Sequence, residues 1–470
     1  MSIASKDHGF FSKERITAPP GFNRWMIPPA ALAVHLCIGQ AYAFSVFNNP
    51  MTRLLGITEP AAADWGLPTL GWIFSLAIFF LGLSAAFAGK WLEDVGPRKA
   101  MFAAACCFGG GFMVSAVGIS LHQIWLLYLG YGVLGGVGLG IGYVSPVSTL
   151  IKWFPDKRGM ATGMAIMGFG GGAFIASPMS VALMDYFHTP VSMGVAQTFV
   201  VMGVLYFCSM MIGAFAIRIP APGWKPAGWT APVKQSAMIS RNHVHIDQAL
   251  KTPQFWLLWW ALCLNVTAGI GVLGQASVMI QESFKGAITP AAAAGFVGML
   301  SLANMLGRFF WSSVSDYVGR KNTYAIFFVL GTALYLLVPG MGSAGNVALF
   351  VLFYCVIISM YGGGFSTVPA YLADLFGTRY VGGIHGRLLT AWAAAGIFGP
   401  TLVNYIRQYQ VDHGVPAAQS YTATMYLMAT LLVVGFICNM FVRPVAARHH
   451  MSGEQLNEQQ NLLSPAMSTK

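Results

Sequence analysis

About twelve blocks of roughly 20 apolar residues follow one another along this chain, each bounded by charge or by a Pro/Gly cluster. A helix needs about 20 residues to cross a hydrocarbon core of about 30 Å. Inside that core every backbone N–H and C=O must be paired within the protein, which a helix does by itself. The blocks predict membrane-spanning helices near 26–47, 69–89, 100–120, 124–149, 160–183, 195–217, 254–280, 290–313, 323–342, 346–371, 388–407 and 421–442. The polar interval 218–253 is the longest internal break and divides the spans six and six. The expected organisation is a tail (1–25), a six-helix bundle (26–217), a central loop (218–253), a second bundle (254–443) and a disordered tail (444–470).

Composition agrees with an all-α membrane protein. Charged residues are 9% of the chain and hydrophobic residues 56%, whereas a soluble domain carries about a quarter charged residues. All but four of the 26 Lys and Arg fall on one side if the N-terminus is cytoplasmic; the exceptions are Arg53, Lys285, Arg407 and the intrahelical Arg308. The positive-inside bias therefore places both termini and the central loop in the cytoplasm of a cell or inner membrane. It also explains the basic pI without nucleic acid, which is not an expected partner. The seven cysteines all lie in apolar stretches without metal-ligand spacing and read as packing residues. The first 25 residues are polar and mixed, and the block from Met26 is long enough to stay in the membrane, so no cleaved leader is expected.

Two loops repeat. Glu93-Asp94-Val95-Gly96-Pro97-Arg98-Lys99 follows span 2, and Asp316-Tyr317-Val318-Gly319-Arg320-Lys321 follows span 8, with Gly96 and Gly319 separated by 223 positions. A looser pair runs from Trp153-Phe154-Pro155 to Gly163 and from Leu375-Phe376-Gly377 to Gly386. Duplication of a six-helix unit explains both, with a site expected where the halves meet. Acidic residues at helix ends beside basic loops suit a gate that pairs in one conformation and releases in the other. Glu93, Asp94, Gly96, Arg98, Asp316, Gly319 and Arg320 are its candidate parts. The first loop resembles the signature of the major facilitator superfamily; the second departs from it with Ser312 where glycine is usual. The resemblance implies twelve transmembrane helices in two pseudo-repeats.

Arg308 is the principal candidate for the site. It lies eight residues before Asp316, so about 12 Å into the core at 1.5 Å per residue. A guanidinium at that depth needs a cavity or an anion, or must snorkel to the interface. Asp185, Asp374, Glu93 and Asp316 all belong near helix ends, which leaves a carboxylate substrate to pair with it bidentately. Asn304 sits one turn away on the same face.

Finer motifs are Tyr42…Asn49-Pro50, Trp153 to Gly159, Asn304-x-x-x-Arg308-x-Phe310-Trp311 and Asp374-Leu375-Phe376-Gly377-Thr378. Together they resemble the oxalate–formate antiporter family, a relative of the proton-coupled monocarboxylate transporters. That resemblance implies substrate contact for Arg308 and cavity-lining places for Tyr42, Tyr143, Tyr361 and Phe365. Some proton-coupled relatives carry an aspartate where this chain has Asn304. Where the oxalate exchangers carry a second cation, alignment on Gly396-Ile397-Phe398-Gly399 places Trp392. One arginine matches one carboxylate, which favours lactate, pyruvate or formate over oxalate.

The glycine run Gly130 to Gly142, and Gly168 to Gly172, lie inside apolar spans and follow no strand, so they read as close helix packing or a bendable gate. His35 in span 1 is either a packed neutral residue or a titrating one. His243 and His245 read as solvated loop residues. The resulting expectation is a monomeric secondary carrier of a small organic anion, by proton symport or by anion exchange, with no cofactor or metal. An oxalate/formate-type antiporter and a non-transporting carboxylate sensor are the alternatives. No nucleophile–base pair sits at membrane depth, and an enzyme is not expected.

Overall fold

A computed structural model describes residues 13–229, 238–240, 242–285 and 287–452. The residues before 13 and after 452, with Lys6, Lys234, Arg241 and Lys470, lie outside the described residues, as do the expected tail ends. The described chain is helical, with isolated β-bridges but no extended strand. Twelve long elements follow the predicted spans. They are α1 (Ile27–Ile38), α2 (Leu67–Val95), α3 (Pro97–Ser120), α4 (Ile124–Trp153), α5 (Arg158–Phe187) and α6 (Val195–Ala216) in the first half. In the second half are α7 (Pro253–Ser283), α8 (Pro290–Val318), α9 (Arg320–Ser343), α10 (Val347–Phe376), α11 (Thr390–Asp412) and α12 (Thr422–Phe441). A short helix, Val381–Leu388, leads into α11. Span 1 is not one regular helix: α1 tightens into a 3₁₀ stretch, Gly39–Phe47, before a last turn at Asn48–Met51.

Local signals set the helix starts. Thr252, Thr289 and Asn346 accept first-turn amides from Phe255 (3.4 Å), Ala292 (3.2 Å) and Leu349 (3.1 Å). Proline follows at 253 and 290, where no N–H is required. The repeated loops turn on Gly96 (φ 85°) and Gly319 (φ 90°), a left-handed conformation strained for residues with a Cβ. This is why glycine recurs in both copies.

Large apolar side chains such as Trp72, Phe87, Ile212 and Phe310 are more than half exposed, which suits lipid rather than water. Among the described residues ten helices have the length and hydropathy to span a membrane by composition. The two outside that set are α8, whose hydropathy Arg308 and Asn304 lower, and α11, which is rich in small and polar residues. Both border the contact between the halves. There α8 packs on α5, and the start of α11 packs on α2. The looser repeat marks these contacts: a Cβ on Gly163 would meet Ser312 Oγ at 2.0 Å, and one on Gly386 would meet the Ala85 carbonyl at 2.0 Å.

The central loop differs from the solvated linker expected. Val244 and Ile246 are fully buried, and Val244 N–H donates to the Phe376 carbonyl at 2.9 Å. His243 and His245 are half-buried between them. Burial, with Arg379 and Arg158 nearby, pushes the His243 imidazole below its usual range. Asp247 is anchored by Arg387 at 2.7 Å. The alternation of His243-Val244-His245-Ile246 is an amphipathic pattern that loop polarity concealed. Residues 444–452 are also ordered, contrary to the expected disordered tail: His450 bridges Val244, and Met451 N–H donates to the His243 carbonyl at 2.8 Å.

Candidate functional site

α8 carries Arg308 to the middle of the inter-bundle contact, where its side chain is fully buried. Snorkelling is therefore excluded as its means of solvation. Nε donates to Asn304 Oδ1 at 3.0 Å, and Nη1 reaches the Ile166 carbonyl on α5 at 3.4 Å. Nη2 has no hydrogen-bond partner, and among the described residues no carboxylate forms an ion pair with the group. The guanidinium carbon lies 5.6 Å from the Phe169 ring centroid and 5.4 Å from that of Phe365. Cation–π contact offsets part of the burial cost, yet a buried cation with a bare donor remains short of a partner. Gly362 on α10 makes this approach possible: a Cβ there would sit 2.5 Å from Asn304 Oδ1.

The other candidates gather around the guanidinium from four elements. Tyr42 of the 3₁₀ stretch bonds Tyr361 of α10, hydroxyl to hydroxyl, at 3.1 Å. Trp392 on α11 packs against Phe365 (4.5 Å), Phe169 (5.4 Å), Tyr143 (5.5 Å) and Tyr42 (6.3 Å). The Tyr143 hydroxyl and the Trp392 indole N–H are buried without partners. Thus one cation and several uncommitted polar atoms converge inside an aromatic shell. That arrangement can take a small anion with an apolar body.

Phe169 belongs to this shell and was missed, because its neighbours Gly168 and Gly170 read as packing alone. His385 was also missed. It stands 5.8 Å from Tyr143, on the side of that ring shared with the start of α11.

At the end where the described chain begins and finishes, the two bundles are joined by polar contacts. Glu93, ion-paired to Lys152 at 2.7 Å, accepts the Gly382 N–H at 3.1 Å. Asp316 accepts the N–H groups of Gly159 and Met160 at 2.9 Å each. Glu93 and Asp316 therefore each reach a helix N-terminus of the opposite bundle, where the helix dipole favours negative charge. Asp316 also pairs with Arg320 at 2.5 Å. Asp374 bridges Arg158 of one bundle (2.8 Å) and Arg320 of the other (3.1 Å). The motifs containing Asp374 and Arg158 were visible in the sequence, but their pairing across 216 positions was not.

Asp94 and Arg98 stand apart from this junction. Asp94 is exposed, being about 100° further round the helix than Glu93, and Arg98 donates to the Phe215 carbonyl within its own bundle at 3.2 Å.

The family model of the Major Facilitator Superfamily matches residues 24–400. The chain belongs to this superfamily. Within it, the chain is 28% identical over 439 residues to the oxalate:formate antiporter of Oxalobacter formigenes, covering 92% of this chain and 96% of that protein. It is 24% identical over 508 residues to apicoplast pyruvate carrier 1 of Toxoplasma gondii, covering 90% and 89%. The fold matches that of the fucose:proton symporter of E. coli with a TM-score of 0.62, at 14% identity and with 90% and 100% of the two chains covered. As a major facilitator it is an integral membrane transporter of twelve helices in two pseudo-repeats.

Proposed function

We propose that this protein is a secondary active carrier of a small monocarboxylate, such as lactate, pyruvate or formate, held by Arg308 and moved by alternating access. The observation that carries this reading is the buried guanidinium with Nη2 unpartnered and no ion-paired carboxylate. A bound carboxylate would accept from the free edge of the guanidinium, with the hydroxyls of Tyr42, Tyr143 and Tyr361 and the Trp392 indole as further donors. The likeness to an oxalate:formate antiporter and to a pyruvate carrier supports a carboxylate.

In the proposed orientation the basic end is cytoplasmic, by the positive-inside bias. Cross-bundle bonds run from Tyr42–Tyr361 at mid-depth to Glu93, Asp316 and Asp374 at that end. The cytoplasmic gate is then closed here, and Glu93, Asp316 and Asp374 must give up their partners for it to open. An oxalate/formate-type exchange is the second reading, favoured by the antiporter likeness. Trp392 argues against it, since an indole supplies no charge for a second carboxylate.

Uptake of radiolabelled lactate, formate and oxalate into proteoliposomes tests the proposal. Saturable lactate or formate uptake, competed by other monocarboxylates, is expected. Movement of oxalate alone would favour the second reading, and transport of only neutral or cationic solutes would remove both.

A further inference from the structure

His35 on α1 and His385 on the helix leading into α11 belong to opposite bundles and are both buried. They flank one ring, Tyr143, at centroid distances of 5.4 Å and 5.8 Å. Nε2 of His385 and the Tyr143 hydroxyl lack hydrogen-bond partners, and the His35 ring, beside the Ala31 and Tyr143 backbone, makes no hydrogen bond of good geometry. A histidine kept for packing gives its N–H to a carbonyl or carboxylate in the ordinary case. His385 with a bare Nε2 and His35 without a well-made hydrogen bond, meeting where the bundles join, point to a proton.

The groups around them are few. Elements packed on the pair carry Lys90 and Glu93 (α2), Tyr143 (α4), Tyr206 (α6), Tyr371 and Asp374 (α10) and Asp247 of the central loop, while α5 presents Phe169; Cys37 shares α1 with His35, Arg387 shares the helix of His385, and Asp247 is paired with Arg387. Glu93 is held by Lys152, and Asp374 by Arg158 and Arg320. Phe169 links the pair to Arg308, its ring 5.7 Å from that of Tyr143 and 5.6 Å from the guanidinium carbon.

We propose that the His35–Tyr143–His385 cluster binds one proton together with the anion at Arg308, a step that rests on the carboxylate reading above. An imidazolium beside an unpaired guanidinium would place two like charges in a medium of low dielectric. A carboxylate on Arg308 cancels that repulsion, so anion and proton each raise the affinity for the other. The charge count closes: without ligand the site carries one positive charge, and with anion and proton bound it carries one as well. Neither bundle movement then buries more net charge than the other. Because each bundle supplies one imidazole, the two face the same ring only while the basic end is closed, which ties proton binding to the conformational cycle.

The test uses full-length wild type, His35→Gln, His385→Gln and the double variant in proteoliposomes. Labelled lactate is followed in exchange counterflow without a pH gradient, and in net uptake under an inward proton gradient. Wild type should accumulate lactate up to about tenfold per unit of inward pH gradient, the limit for one proton per anion. The double variant should lose the gradient's effect, while its counterflow, weakened along with anion affinity, stays measurable. Undiminished drive in the double variant, or wild-type uptake indifferent to the gradient, overturns the proposal. Lactate-induced thermal stabilisation of wild type at pH 6 and pH 8 gives a result independent of how the variants fold. Stronger binding at pH 6 is expected, and equal binding overturns the coupling. Absence of lactate binding at every pH removes the Arg308 reading itself, and this proposal with it.

Discussion

Replacing Arg308 by alanine removes the cation at the centre of the aromatic shell, and its cost can be worked from the contacts. Nη2 is free and Nη1 is held only by a 3.4 Å bond to the Ile166 carbonyl, so the fork can give a carboxylate two charge-assisted hydrogen bonds. At about 1.5–3 kcal/mol each, the loss is about 3–6 kcal/mol, or roughly 10²–10⁴-fold in affinity. Folding should change far less. The variant also removes a buried charge that has no ion-pair partner, and this relief offsets the donors lost to Asn304 and Ile166. Arg308→Lys keeps the charge but loses the planar fork, and it should be at least about tenfold weaker than wild type. The assay pairs lactate uptake in proteoliposomes with lactate-induced thermal stabilisation in detergent, since a ligand bound to the native state raises the melting temperature with concentration. A folded Arg308→Ala protein with wild-type stabilisation and uptake would refute the reasoning.

Three further outcomes follow from neighbouring contacts. Asn304→Asp would set a carboxylate where an amide oxygen now lies 3.0 Å from Arg308 Nε, so an internal anion competes with substrate; lactate binding at neutral pH should weaken by at least about tenfold. Asp374→Asn removes the bridge between Arg158 and Arg320 and should shift the gate toward opening by about 1–3 kcal/mol, or roughly 5–150-fold. Spin labels on Lys157→Cys and Arg379→Cys should then report a longer distance, and an unchanged distribution would refute the gate. The Asp247 carboxyl is held below the usual carboxylate range by its hydrogen bond from Arg387. Its contribution to docking of the central loop is present above the unfolded value of about 3.9 and is lost as pH falls through the lower folded value. Amide exchange of residues 242–250 should accelerate in that acidic window, and Asp247→Asn should remove the pH dependence.

Much of the architecture was legible because lipid makes it so. Each span must be long, apolar and helical, and the breaks between spans must carry the charge. The repeat at Gly96 and Gly319 was equally legible, since a positive φ leaves its mark in residue type. Arg308 stood out for the same reason, as a charge that hydrocarbon does not tolerate. What escaped were features defined by pairing. Phe169 looks like any aromatic among glycines until α5 meets α8 and α11. His385 sits in a polar-looking connection, and only the packing of its own short helix on α2 buries it. The short alternation around Val244 was too brief to show period against a polar loop. Asp94 and Glu93 are adjacent in sequence, and only the helix rotation between them separates a gate contact from an exposed surface.

Magic-angle-spinning NMR offers the most direct measurement: a dipolar distance between the ¹³C-carboxyl of bound lactate and ¹⁵N-arginine side chains in membranes. The guanidinium of Arg308 should lie about 3.5–4 Å from the carboxyl carbon, as hydrogen bonds of about 2.7–2.9 Å require, and the coupling should vanish in Arg308→Lys. Bound lactate with no arginine nitrogen in range, or with the same coupling retained in that variant, would contradict it.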